Sequence, residues 1–174
     1  MTAVRIEAYD ELDSTNAEAR RWSTQRGNLA ATLLMTTDLP AGEAAQVSFV
    51  SALAACDLAD AALGAGVARL KWPNDVLIDG RKAVGILVES GARPDGRLWL
   101  AVGIGVNLAH APSDVERPAI AFAERSGGSP MEPRAALDVL AGAFERRQQA
   151  WASRGFAAVA EAWTERAIGL GQRC

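Results

Sequence analysis

The stretch of sequence that decides the fold runs from Lys71 to Glu89 and reads KWPNDVLIDGRKAVGILVE. Residues 76–78 and 83–88 are apolar runs with the length and β-branched composition of buried strands. Asp79-Gly80 between them is typical of a two-residue hairpin turn, because both central positions of that turn favour positive φ. The stretch therefore predicts two antiparallel strands joined by a tight turn.

Further strands and helices flank this hairpin. Upstream, the spacing of apolar residues predicts strands at 4–9, 29–36 and 67–72 and helices at 17–21 and 43–63. Downstream, it predicts a strand at 98–107, antiparallel to 82–90, and helices at 118–125, 132–153 and 156–168. Strands with one long helix between them, followed by helices, indicate an α+β domain with a mixed or antiparallel sheet covered by helices.

Composition narrows the classes of protein that this sequence can encode. With 174 residues the chain is long enough for one domain and short for two. The net charge of -3 gives no basic surface suited to DNA phosphates. Met1–Asp10 lacks the charged and apolar regions of a signal peptide, and Asp57 and Asp60 interrupt the longest apolar run. We expect a cytoplasmic protein without a membrane span.

Cysteine and histidine are too few for a metal or disulfide framework. Cys56 and Cys174 lie far apart, and Cys56 falls in an apolar helical pattern that predicts a buried thiol. The single histidine, His110, is expected to be a loop residue without a role. The sequence therefore predicts no fixed metal site.

Polar residues gather around the ends of the two central strands. Asn74 and Asp75 present an amide and a carboxylate at the start of one strand, and Lys82 follows the turn at the start of the other. A lysine in this place suits a phosphate or carboxylate ligand. Gly85 removes a side chain in mid-strand, which often means that something approaches the backbone closely. Spacing alone still favours a plain hairpin with a solvated turn and a core tryptophan at position 72.

A resemblance to a known family favours a ligand site over a plain hairpin. Residues 71–89 resemble the signature of biotin–protein ligases: Lys-Trp-Pro-Asn-Asp, a short connection, then a lysine, a glycine and Ile-Leu-Val-Glu. Leu12–Asn16 resembles the family's Ser-Thr-Asn segment, and Val102–Asn107 its late strand. Residues 22–24 with 27–29 resemble the segment that leads into the next strand. The likeness covers roughly residues 5–110 and implies a class II aminoacyl-tRNA synthetase-like (biotin/lipoate ligase) catalytic domain that spans residues 1–174.

The resemblance also implies a reaction and a set of site residues. A biotin–protein ligase uses ATP, with Mg²⁺ as its companion, to form biotinyl-adenylate and transfers biotin to a lysine of a biotin carboxyl carrier protein. By this likeness Lys82 is the catalytic residue. The implied biotin-binding residues are Ser14, Thr15, Asn16, Trp22, Lys82 and Gly85. The implied nucleotide-binding residues are Lys71, Asn74, Asp75 and Asn107. DNA and membranes are not expected partners, and a homodimer through the sheet stays open.

The sequence departs from the family pattern in three places. Relatives carry a strand and a Gly-Arg-Gly-Arg-type loop between the Ser-Thr-Asn segment and the tryptophan, whereas Ala17–Arg21 alone separates Asn16 from Trp22 here. We expect an internal omission between about 17 and 22; the alternative is a protein that lacks the loop and is a poor ligase. We expect no helix-turn-helix domain before residue 5, and we expect the small C-terminal β-barrel to be absent.

Three other functions remain as alternatives. A lipoate–protein ligase would have the same overall fold, although the Lys-Trp-Pro-Asn-Asp stretch favours biotin. A non-catalytic biotin- or nucleotide-binding domain without its closing loop would bind ligand and release no pyrophosphate. A scaffold domain without a ligand is the least favoured. Residues 103–108 superficially resemble a dinucleotide fingerprint, but they lack its third glycine and its following helix.

Overall fold

The computed structural model describes residues 27–113, 115, 117–129 and 131–171. Several sequence predictions fall outside these residues: the strand at 4–9, the helix at 17–21, the omission near 17–22, and Cys174. The implied biotin-binding residues Ser14, Thr15, Asn16 and Trp22 also lie outside them.

A single antiparallel sheet of five strands organises the described part of the chain. The strands are Leu29–Thr37 (β1), Ala68–Lys71 (β2), Asp75–Ile78 (β3), Arg81–Ala92 (β4) and Leu98–Val106 (β5), in the spatial order β1-β5-β4-β3-β2. The β3–β4 turn has the predicted geometry, since Asp79 and Gly80 both have positive φ, 49° and 75°. These strands confirm the predicted α+β class with an antiparallel sheet.

The described residues also form five helices, which follow or interrupt the strands. They are Ala41–Ala44 (α1), Val47–Leu63 (α2), Phe122–Ser126 (α3), Pro133–Arg154 (α4) and Phe156–Arg166 (α5). Helix α2 lies between the sheet and α4, and it is therefore apolar on nearly all sides. Its Cys56 is fully buried, as predicted. Pro133 opens α4 at a position where its missing N–H has no cost, and Gly155 separates α4 from α5.

Two helix predictions are wrong in detail. The predicted helix at 43–63 is two helices, because Ser48 and Phe49 bond to the carbonyls three residues back and so break the helical ladder between α1 and α2. The predicted helix at 118–125 begins only at Phe122. Residues 118–120 are extended instead, because the backbone of this segment pairs with Lys82 of β4.

Ion pairs fasten α2 to the two C-terminal helices. Arg147 on α4 binds both carboxylate oxygens of Asp57 at 2.8 and 2.7 Å, and Arg166 on α5 donates to Asp60 at 2.8 Å. By length and composition the Ala41–Leu63 segment could cross a membrane, contrary to our expectation from Asp57 and Asp60. However, 56% of its most apolar window is buried inside the protein, which is typical of a core helix.

Candidate functional site

One row of residues crosses the whole sheet on the face that turns away from α2. Directly paired residues of neighbouring strands share a face, and successive residues of a strand alternate between faces. The register pairs Lys71 with Asp75, Asp75 with Gly85, Gly85 with Gly105, and Gly105 with Ala30. The neighbours of these glycines, including Val84, Ile86, Ile104 and Val106, belong to the core on the opposite face.

The middle of this row has almost no side chains. Gly85 and Gly105 lie opposite each other, and Gly103, two residues from Gly105, lies between Thr32 and Leu87 in the next row. We call Gly85, Gly103 and Gly105 the glycine floor. A glycine in a strand allows another group to approach the backbone closely, which makes the glycine floor a candidate for contact with a ligand. Charged residues stand only at the β3 and β2 end of the row.

Lys82 and Asp75 form an ion pair at that charged end. The Nζ of Lys82 lies 2.7 Å from Oδ1 of Asp75, and the Asp75 side chain is only 5% exposed. Within the described part of the chain, no donor meets this buried Oδ1 at a hydrogen-bonding angle, so the contact is electrostatic rather than a directed hydrogen bond. The Lys82 side chain keeps 29% of its surface exposed. Its ammonium group can therefore turn toward a ligand.

The segment after β5 returns to pair with Lys82. The backbone N–H of Lys82 donates to the carbonyl of Pro118 at 2.9 Å, and its carbonyl accepts from the N–H of Ile120 at 3.0 Å. This pairing brings the guanidinium of Arg117 to 3.6 Å from Oδ2 of Asp75. Asp75 therefore has Lys82 on one carboxylate oxygen and Arg117 on the other.

Asn107 joins the end of β5 to β4 on one side and to the start of α3 on the other. Its backbone N–H donates to Ala83 at 2.9 Å, and its carbonyl accepts from the N–H of Phe122 at 2.8 Å. Its side-chain Nδ2 lies 3.4 Å from the carbonyl oxygens of Lys82 and Ile120. The amide nitrogen therefore supports the backbone of Lys82, and only the amide oxygen is left to meet a ligand.

Asn74 is bonded to the backbone of β4, whereas Lys71 is exposed to solvent. The Nδ2 of Asn74 donates to the carbonyl of Ile86 at 2.9 Å, and the N–H of Ile86 donates back to the carbonyl of Asn74 at 3.0 Å. Asn74 thus holds the start of β3 against β4. Lys71 is exposed at the end of β2, in the same row as Asp75.

Trp72, Trp99 and Trp163 pack against other parts of the protein rather than lining the glycine floor. Trp163 is in the core, and Trp99 lies against Gly91, where a Cβ would come within 2.5 Å of the indole nitrogen. Trp72 is 56% exposed and rests on Phe49 with ring centroids 5.6 Å apart, so the expected core position for Trp72 is wrong.

Two long-range contacts near the site could not be predicted from the sequence. Arg117 is one of sixteen arginines and follows loop composition, so nothing in its surroundings points to Asp75. Asn28 accepts from the N–H groups of Ala109 and His110 at 3.0 and 3.1 Å and thereby holds the segment beyond β5. Both contacts join residues more than forty positions apart, which short-range patterns cannot reveal.

The glycine floor, with a cation–carboxylate group at one end, is the candidate functional site of the described part of the chain. The described residues contain no group of three potential metal-ligating side chains. The profile of the biotin/lipoate A/B protein ligase family matches residues 18–108, more than half of the chain.

Curated relatives agree with this family. The chain is 42% identical over 170 residues to the biotin--[acetyl-CoA-carboxylase] ligase of Paracoccus denitrificans, covering 95% of this chain and 71% of the relative. It is 31% identical over 157 residues to the bifunctional ligase/repressor BirA of Bacillus subtilis, covering 88% of this chain and 48% of that protein. The chain thus spans 71% of the length of the first relative and about half of the second.

A solved structure has the same fold. The biotin protein ligase from Aquifex aeolicus in complex with biotin and ATP superimposes with a TM-score of 0.65 at 21% identity, covering 86% of this chain and 62% of that one. From the profile match and the Paracoccus relative, the chain belongs to the biotin/lipoate A/B protein ligase family. The resemblance noted in the sequence is confirmed.

Proposed function

We propose that this chain activates biotin with ATP to give biotinyl-5'-AMP and then transfers biotin to a lysine of a biotin carboxyl carrier protein. The 42% identity to a biotin ligase favours this activity within the family. The observation that carries the proposal is the position of Lys82 at the charged end of the glycine floor, beside buried Asp75. A flat ring on the floor would direct its carboxylate tail toward this cation.

The biotin site would combine the floor with the N-terminal residues. The fused rings would lie over Gly85 and Gly105, which pair directly with each other and carry no side chains of their own. Ser14, Thr15 and Asn16 remain predicted partners of the ureido group, which needs both hydrogen-bond donors and acceptors. Trp22 remains a predicted contact of the ring system.

Adenylation requires neutralisation of charge at the reacting atoms. A carboxylate oxygen of biotin would attack the α-phosphorus of ATP in line, and the bond to the pyrophosphate oxygen would break. Lys82 would bind both the carboxylate and a non-bridging phosphate oxygen, so that two anions can approach each other. Mg²⁺ is proposed to enter with the triphosphate as part of the substrate.

The nucleotide would lie near the strand ends on which Lys71, Asn74, Asp75 and Asn107 are placed. The amide nitrogens of Asn74 and Asn107 are directed at backbone carbonyls, so their oxygens are the atoms that we expect to meet ribose or base. Lys71, exposed in the row of Asp75, would attract the leaving pyrophosphate.

Transfer needs no covalent bond to the enzyme. The amine of the carrier lysine would attack the carbonyl carbon of the mixed anhydride, and AMP would leave with the electron pair of the broken bond. The protein's task is to hold the adenylate in position and to exclude water. We place this reaction in the cytoplasm, and a homodimer through the sheet remains compatible with it.

The test is biotinylation of a purified biotin carboxyl carrier domain, followed by mass spectrometry of the carrier. We expect the mass to increase with ATP and biotin together and to stay constant when either is omitted. A parallel reaction with lipoate and a lipoyl carrier domain distinguishes the family's other substrate. Modification by lipoate alone would favour the lipoate ligase, and binding of biotin without any transfer would favour a non-catalytic domain.

A further inference from the structure

Asp75 presents an electrostatic problem that its lysine partner alone cannot solve. Its side chain is almost completely buried, and the near cation is Lys82 at 2.7 Å. The proposed reaction requires the same lysine to bind carboxylate and phosphate oxygens. If Lys82 turned to those anions, a buried carboxylate would lose its closest counter-charge, and such a group is strongly unfavourable without a partner.

Arg117 is placed to solve this problem. Its guanidinium lies 3.6 Å from Oδ2, whereas the 2.7 Å contact of Lys82 is with Oδ1. Its side chain is 63% exposed, so it can shorten this contact by small rotations without disturbing the core. The hydrogen bonds of Pro118 and Ile120 to the backbone of Lys82 fix the segment that carries Arg117 beside the site.

We propose that Arg117 is a positioning residue, which holds the carboxylate of Asp75 while Lys82 turns to the anions of the reaction. The inference rests on the proposed function for the identity of those anions, and on the Lys82–Asp75–Arg117 geometry for the exchange of partners. A guanidinium suits this task, because it binds carboxylates through two donors and stays protonated.

The double-mutant cycle between positions 117 and 75 tests this role. Arg117→Ala should weaken ATP binding in the presence of biotin, measured by titration calorimetry, by about tenfold, within the range of coupling between contacting charged residues. In the Asp75→Asn background the same Arg117→Ala change should lower the affinity for ATP much less. The amide at position 75 is uncharged and needs no counter-charge when Lys82 turns away. Arg117→Lys should retain much of the wild-type affinity. A merely structural role for Arg117 would give the same loss in both backgrounds.

Arg125→Ala provides a matched control. Arg125 is also an exposed arginine that follows β5, and it pairs with Asp79 of the β3–β4 turn at 3.1 Å, away from Asp75. Its removal should leave the affinity for ATP unchanged. Thermal unfolding of each variant checks that the chain is folded before the affinities are compared.

The outcomes separate this inference from the proposed function. Biotin-dependent activity in the wild type, with equal affinities for wild type and Arg117→Ala, would overturn the inference and leave the function standing. An equal loss in the two backgrounds at position 75 would also overturn it. A wild type that binds ATP without forming adenylate would overturn the function. If Arg117→Ala then lowers the affinity for ATP in the wild-type background but not in the Asp75→Asn background, the inference is supported. A wild type that binds no ATP would overturn both.

Discussion

The ammonium group of Lys82 lies 2.7 Å from the buried carboxylate of Asp75, and the two residues reach this contact across a β-bulge in the β3–β4 pairing. The register shifts between Val76 and Leu77, so that Leu77 pairs with Lys82 while Asp75 pairs with Gly85. A regular ladder would place Lys82 elsewhere in relation to Asp75. The bulge therefore sets the position of the charged end of the glycine floor, as bulges beside functional sites often do.

Lysine labelling can test whether Lys82 meets the ligand, because Lys71 and Lys82 are the only lysines of the chain. With an acylating reagent, exposed Lys71 should react faster than Lys82, whose ammonium group is paired with Asp75. Biotin together with ATP should slow the labelling of Lys82 several-fold, as measured by peptide mass spectrometry. Protection of Lys71 alone would argue against the assignment of Lys82.

The glycine floor predicts a loss of biotin binding for Gly105→Ala. Glycine weakens a strand relative to alanine by roughly 0.5–1 kcal/mol, so thermal unfolding is measured beside binding to separate an effect on stability from an effect on the ligand. The added methyl group would stand on the floor opposite Gly85 and should lower the affinity for biotin by about tenfold, the effect of a modest overpacking penalty.

Ala101→Val is the control for that experiment, since Ala101 shares the strand and face of Gly105 but pairs with Leu34 and Glu89, beyond the floor. Calorimetric titration with biotin compares the two variants. Equal affinities for biotin in Gly105→Ala and wild type would contradict a ligand position on the floor.

Asn107→Ala should affect stability and activity together. Its Nδ2 lies near the carbonyls of Lys82 and Ile120. The Lys82 carbonyl keeps the N–H of Ile120 as a donor, so the loss falls on the Ile120 carbonyl, and a buried carbonyl left without a donor costs roughly 1–3 kcal/mol. We expect the free energy of unfolding to fall by about 1 kcal/mol, since both contacts are long at 3.4 Å. Urea unfolding measures the loss, and an unchanged midpoint would contradict the supporting role of this side chain.

The Asp60–Arg166 pair predicts a loss of stability in acid. Burial raises the pKa of Asp60, but hydrogen bonds from Arg166 and from the N–H groups of Gly66 and Ala68 outweigh it, so the pKa lies below its usual value. A depressed carboxyl pKa contributes stability above the unfolded value near 3.9, and this contribution disappears as pH falls through the folded pKa.

The corresponding variant is Asp60→Asn. Because the pair is partly open to solvent, its removal should lower the free energy of unfolding at pH 7 by roughly 1 kcal/mol. The difference between variant and wild type should shrink below about pH 4. Asp138→Asn, which removes the exposed Arg134–Asp138 pair, should change stability little at either pH. A constant difference for Asp60→Asn from pH 3 to pH 7 would refute the linkage.

The sequence was most informative where chemistry and local pattern coincide. The Asp79-Gly80 turn and the apolar runs around it predicted β3 and β4, because turn geometry and strand alternation depend on neighbouring residues. The same stretch contains Lys82, Asp75 and Asn74, so most of the described candidate site could be predicted from it.

Features that depend on distant contacts could not be read from the sequence. Residues 118–120 have no strand pattern, and they are extended because Lys82 offers its backbone N–H and carbonyl to them. The same contact brings Arg117 to Asp75, 42 positions earlier in the chain. The row across Lys71, Asp75, Gly85 and Gly105 exists only once the register of four strands is set.

The most direct test of the central claim is biotin-dependent exchange of pyrophosphate into ATP, measured for the wild type and for Lys82→Ala on protein of verified mass. The account predicts exchange in the wild type only when biotin is present, and loss of this exchange in Lys82→Ala while thermal unfolding shows that the variant is folded. Exchange in Lys82→Ala at the wild-type rate, or no exchange in a wild type that binds both substrates, would contradict it.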